Sequence, residues 1–111
     1  MDIDDLGFRK GVVKAALTAP EREELLAQIP GWRVVADDQV EMLEREFEFA
    51  DFSSALSFAN RVGEIAEAWN HHPALTVTWG KVKVAWWTHT AAGVTVNDIV
   101  LARETQALAP D

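Results

Sequence analysis

The sequence predicts an α+β domain: a four-stranded antiparallel sheet with three helices on one face, in the order α-β-β-α-β-β-α. Three observations predict it. Two segments alternate apolar and polar residues on either side of a short turn, as paired strands do. The long stretch between them repeats its apolar residues at steps of three and four, and capping patterns open the first and last helical segments. Two hairpins separated by a helix imply antiparallel pairing, and the apolar helix faces then need one side of the sheet to bury against.

Residues 1–17 show no clean period and contain Gly7 and Gly11, so they read as a loosely attached arm, partly ordered, ahead of a single domain at 18–111. Thr18-Ala19-Pro20-Glu21 has the form of a capping box, and Leu25, Leu26 and Ile29 supply the apolar face of the helix it opens. Pro30-Gly31 ends that helix. Residues 32–35 and 40–49 form the first hairpin around Asp37-Asp38-Gln39. In its second strand Met42, Glu44, Glu46 and Glu48 alternate with Leu43, Arg45, Phe47 and Phe49, and Arg45 interrupts the apolar row.

Asp51 is a suitable N-cap for a helix over 52–70, where Phe52, Ala55, Leu56, Ala59, Val62, Ala66 and Trp69 form a stripe. Phe58 and Ile65 widen the stripe beyond what one sheet face needs, so part of this helix is expected to pack against another subunit. Gly63 in its interior costs about 1 kcal/mol relative to Ala. Leu75, Val77 and Trp79 then alternate with Ala74, Thr76 and Thr78, Gly80-Lys81 is read as a two-residue turn, and Val82, Val84 and Trp86 alternate with Lys83, Ala85 and Trp87. Thr95-Val96-Asn97-Asp98 opens the last helix with a second capping-box pattern.

At 111 residues, 49% hydrophobic and 25% charged, the composition is that of one globular domain. A formal charge of −8, with ten scattered basic residues, argues against direct nucleic-acid binding, which depends on clustered Lys and Arg. Zero cysteines remove disulfides, thiolate nucleophiles and cysteine metal sites. The acidic start lacks a signal-peptide core, and no stretch approaches the length of a membrane span. A soluble, cytoplasmic protein with no membrane partner is the expectation.

Asn70-His71-His72-Pro73 places two of the three histidines side by side where the long helix must stop. Imidazole is the side chain that exchanges protons near neutral pH without help. His89 follows 17 residues after His72, within reach of a short hairpin, and its parity with Lys83, Ala85 and Trp87 turns it away from Val82, Val84 and Trp86. Each residue also has a plainer reading. His71-His72 reads as a helix C-cap, His89 as an exposed strand end, Asp98 as part of the Thr95 cap, and the tryptophans as core or interface. On a continuing helix Glu67 and His71 are one turn apart, so Glu67 is expected to orient His71. A metal site is not expected: adjacent side chains diverge, and the helical His-Glu-x-x-His spacing is absent.

Glu67-x-x-x-His71-His72-Pro73, followed by five residues and Trp79, nine and His89, then eight and Asp98, resembles the signature of the pterin-4a-carbinolamine dehydratases. Gly31-Trp32, Phe47-x-Phe49, Arg61-Val62, Thr88-His89 and Gly93-Val94-Thr95 resemble further landmarks of that family, over about residues 20–109. The resemblance implies a small α+β lyase that dehydrates 4a-hydroxytetrahydropterins in cofactor recycling, with a pterin substrate, no metal or bound cofactor, and a homodimer or homotetramer. Carried onto this chain it makes His71, His72 and His89 catalytic, and Glu67, Asp98, Thr88 and Trp79 supporting or substrate-binding. His72 is taken as the acid, His71 as acid or base oriented by Glu67, and His89 as a binding or proton-accepting partner. Ala74-Leu75 and Trp86-Trp87 depart from frequent family choices at the pocket rim. The family also resembles a scaffold, since relatives serve as a transcription-factor dimerisation cofactor or a carboxylase assembly factor. A dehydratase of another pterin is a third reading.

Overall fold

Both alternating segments pair into one antiparallel sheet in the computed structural model, which describes residues 1–110. Strands β1 (Arg33–Asp37), β2 (Val40–Glu48), β3 (Ala74–Thr78) and β4 (Lys81–Trp86) lie in the order β1-β2-β4-β3. Helices α1 (Ala19–Leu26), α2 (Phe52–Trp69) and α3 (Val96–Leu108) complete the order α-β-β-α-β-β-α, with single 3-10 turns at Ile3–Asp5 and His89–Ala91.

Register follows from burial. Leu43 sits opposite Trp86 and Phe47 opposite Val82, so the apolar parities of β2 and β4 share one face, which α2 and α3 cover. Val82, Val84 and Trp86 are fully buried there, each stabilised by about 1.5–3 kcal/mol relative to exposure. The opposite face carries Glu46, Glu48, Thr76 and Thr78, all exposed. Arg45 nevertheless belongs to the covered face. Its guanidinium lies 4.6 Å from the Phe47 ring centroid and donates to Gln106 Oε1 at 3.2 Å, so the break in the apolar row is satisfied by α3.

Two local expectations need correction. The second hairpin turns at Trp79-Gly80 rather than Gly80-Lys81, since Thr78 pairs with Lys81. Gly80 has φ +77°, and a Cβ there would lie 3.2 Å from the Phe49 carbonyl oxygen, while its own carbonyl accepts from the Phe49 amide at 2.8 Å. Conformation and crowding therefore place the glycine at the second turn position. The buried stripe of α2 is also rotated from the expected one: Phe58 enters the core with Ala55, Ala59, Val62 and Ala66, while Phe52 and Leu56 stay exposed. Phe58 belongs inward because it packs on Phe47 and Phe49, with ring centroids 4.8 and 5.1 Å away.

The arm is held more firmly than its irregular sequence suggests. Ile3 is buried in the core, and the Gln28 side chain bonds the Ile3 amide at 2.8 Å and the Met1 carbonyl at 2.7 Å. No helix among the described residues is long and apolar enough to cross a membrane.

Candidate active site

Helix α2 stops where Asn70 adopts the left-handed conformation, φ 52° and ψ 45°. Asn tolerates this region better than most residues, and the turn lets the His71 amide reach the Ala66 carbonyl at 3.1 Å and the Asn70 amide reach Glu67 at 3.4 Å. The reversal takes His71 off the helix. It does not stand one turn above Glu67, and the expectation that Glu67 orients it is overturned. His71 Nε2 instead contacts Asp98 Oδ1 at 2.7 Å, and Glu67 Oε2 contacts His72 Nε2 at 2.5 Å. Capping of α2 falls to Asn70 and backbone amides, leaving both imidazoles available.

Asp98 lies at the first turn of α3 with its side chain fully buried. Its Oδ2 accepts from the Thr95 amide and from the Thr88 hydroxyl, each at 2.8 Å, while Oδ1 receives His71. One carboxylate thus caps a helix with one oxygen and holds a histidine with the other. The carboxylate engages His71 through Nε2, which leaves Nδ1 for other chemistry. The ring is fixed from its sides as well: it stacks on Trp86 at 5.9 Å and 14°, and Phe8 meets it edge-on at 6.0 Å. Trp86 is anchored in turn by its indole N–H, which donates to Thr105 at 3.0 Å.

His89 leaves β4 beyond an isolated bridge between Thr88 and Gly93 and opens a 3-10 turn, its ring 5.0 Å from Trp87. Thr88 points inward to Asp98 and His89 outward, as strand parity requires. All three histidines line one cavity of about 700 Å³, with Asn70, Trp87, Thr88, Thr90, Asn97 and residues of the arm. That volume suits a small-molecule ligand. Lys10 is the only Lys, Arg, Asp or Glu among the described residues in the lining. Among the described residues, no group of three His, Cys, Asp or Glu is arranged to hold a metal ion.

The family model described as pterin 4 alpha carbinolamine dehydratase matches residues 15–108. The chain belongs to that family. Relatives named "Putative pterin-4-alpha-carbinolamine dehydratase" include one from Chlorobaculum tepidum, 47% identical over 85% of each chain. Another, from Gloeobacter violaceus, is 53% identical over 82% of this chain and 78% of its own. A crystal structure of a transcriptional coactivator/pterin dehydratase from Brucella melitensis superposes with a TM-score of 0.78 at 38% identity, covering 86% of this chain and 99% of that one. A pterin dehydratase-like RuBisCO assembly factor of the alpha-carboxysome, 20% identical with a TM-score of 0.60, covers 73% of this chain and 92% of its own and shares the fold.

Within this candidate site the sequence-derived residues divide clearly. His71, His72, His89 and Thr88 line the cavity, while Asp98 and Glu67 reach it through the histidines they hold. Trp79 does not join them. It sits 72% exposed in the β3–β4 turn, separated from His72 by β3, about 17 Å of strand. Sequence reasoning missed Asn70, Asn97, Thr90, Phe8 and Lys10. An Asn just before a histidine pair and a proline is a legible sign of a left-handed helix stop; nothing comparable marks the arm residues.

Proposed function

We propose that this chain dehydrates a 4a-hydroxytetrahydropterin to the quinonoid dihydropterin through histidine general acid-base catalysis, within recycling of a tetrahydrobiopterin-type cofactor. The observation that carries the reading is convergence: three histidines drawn from a helix end and a strand end line one cavity, and carboxylates engage two of them. Family membership supplies the substrate class.

The chemistry needs two proton movements. As the C4a–O bond breaks, its electrons leave on oxygen, and hydroxide is a poor leaving group unless it is protonated. The N5 lone pair forms the C4a=N5 bond, and the N5 proton then departs. His72 gives the proton to oxygen from its imidazolium form: Glu67 holds Nε2–H, Nδ1–H is the donor to substrate, and the neutral imidazole is left behind. His89 accepts from N5. His71, the most rigidly held of the three, orients the ring.

Stopped-flow dehydration of a synthetic carbinolamine tests this. Wild-type chain is expected to accelerate the reaction over its spontaneous rate, and His72→Ala to reduce that acceleration by roughly 10²-fold. Undiminished rates in His72→Ala remove His72 from the mechanism, and an inert wild-type chain defeats the dehydratase reading itself. The chain is further proposed to self-associate as a dimer or tetramer through the outer face of α2, where Phe52 and Leu56 are exposed.

A further inference from the structure

We propose that residues 8–13 of the N-terminal arm are a substrate-binding wall of the cavity, and that Phe8 is a positioning residue for His71. The inference rests on the pterin reading for its ligand and goes beyond it, because the segment lies outside the 15–108 matched by the family model. Phe8, Lys10, Gly11, Val12 and Val13 all line the cavity.

The segment is pinned on both sides by groups that have no other evident role. Asn97, only 3% exposed, uses its whole amide on one arm residue: Oδ1 accepts from the Arg9 amide at 2.7 Å and Nδ2 donates to the Arg9 carbonyl at 2.9 Å. A buried side-chain amide satisfied this way reproduces the pairing of a strand neighbour and fixes the register of the arm. Downstream, the Thr90 hydroxyl donates to the Val13 carbonyl at 2.6 Å, and the Leu17 amide donates to Val94 at 2.8 Å. Thr90 follows His89 directly, and Asn97 precedes Asp98. The clamps therefore grow from the same short turns that carry the site, so displacement of the arm is transmitted to it.

Between the clamps, Phe8 lies 4.9 Å from Trp69 and meets the His71 ring edge-on at 6.0 Å, a contact additional to those from Trp86 and Asp98. Its removal frees the imidazole to rock about the Asp98 bond. Val12, 68% exposed at the cavity rim, offers apolar surface for a flat heterocycle to cover. These two residues separate the two parts of the proposal.

The test uses full-length Phe8→Ala, Phe8→Leu and Val12→Asp, with a chain lacking residues 2–13 as a fourth variant. Dehydration kinetics are measured alongside equilibrium binding of a 7,8-dihydropterin, followed by tryptophan fluorescence. Val12→Asp is expected to raise KM and the dihydropterin Kd roughly 5- to 10-fold with kcat unchanged, and the deletion to raise both at least as far. Phe8→Ala is expected to lower kcat roughly 10-fold, with substantial recovery in Phe8→Leu, since a lost support costs geometry rather than ground-state affinity. Val12→Asp keeps the test decisive if the deletion does not fold. KM and Kd within twofold of wild type in Val12→Asp overturn the wall, and an unchanged kcat in Phe8→Ala overturns the positioning role. If wild type binds the dihydropterin without dehydrating the carbinolamine, the catalytic reading fails while the Kd series still judges the wall. A wild-type chain that binds no pterin overturns both.

Discussion

Asp98 and Glu67 each hold a histidine, but from different surroundings, and the difference predicts different consequences of losing their charge. Asp98 is fully buried among three donors besides His71, whereas the Glu67 side chain is 78% exposed. Asp98→Asn puts an amide where a double acceptor is needed and leaves a buried donor facing a donor. A loss of about 1–3 kcal/mol in chemical denaturation is expected, with kcat reduced roughly 10- to 100-fold as His71 loses its anchor. Glu67→Gln should change the unfolding free energy by less than about 0.5 kcal/mol, because exposed ion pairs contribute little, and should lower kcat less than roughly 10-fold. Equal kinetic losses in the two variants would contradict this ranking. The two carboxylates and three histidines that lie together were named through the family resemblance; their pairing was not. Helical spacing pairs Glu67 with His71 only while the helix continues, and the left-handed Asn70 exchanges the partners.

Hairpin and helix ends carry the next predictions. The first hairpin turns through Asp38 and Gln39 with φ of 48° and 68°, both left-handed, as a two-residue hairpin loop requires. Gln39 gains nothing from that conformation, so replacing Asp38-Gln39 with Asn-Gly should stabilise the fold by about 0.5–1 kcal/mol, seen as a higher urea midpoint at unchanged slope. At the start of α2, the Asp51 carboxylate accepts from the Ser54 amide at 2.8 Å, and these bonds hold its pKa below the usual 3.8. A carboxyl whose folded pKa is depressed contributes its stability fully above the unfolded value and loses it as pH falls through the folded value. Asp51→Ala should therefore melt below wild type by a constant margin above about pH 5, and the margin should shrink as pH drops below 3.8. A margin that stays constant to pH 2 would assign the stabilisation to something other than the carboxylate. Element types and order were readable because alternation, three-four spacing and capping boxes are local signals. The one-residue shift at Trp79-Gly80 was not, because it depends on Phe49, just past the end of β2, approaching Gly80.

At the scale of the whole molecule, the arm and the outer face of α2 raise the same question of what covers an apolar side chain. For the arm the answer lies within the chain, and it escaped the sequence because Asn97 and Gln28 clamp residues 88 and 25 positions away without any periodic pattern. For α2 the chain supplies no cover. Phe58 and Ile65 found partners in the core, which removes part of the apolar excess, yet Phe52 and Leu56 remain 45% and 43% exposed one helical turn apart. Gly63 continues that side of the helix, and a Cβ placed on it would meet nothing within 4 Å, so nothing in this chain accounts for the glycine. A second copy of α2 laid along this face would bury both side chains and make use of the narrow backbone at Gly63. Leu56→Lys should then convert the sedimenting species to monomer while helix content by circular dichroism stays unchanged, because the new ammonium lies at the surface of the single chain but inside the assembly. The same variant separates association from catalysis, since Leu56 is absent from the histidine cavity and a monomer with an intact site should retain dehydration activity. An assembly that survives Leu56→Lys would place the contact elsewhere, with exposed Trp79 in the β3–β4 turn as the next surface to substitute.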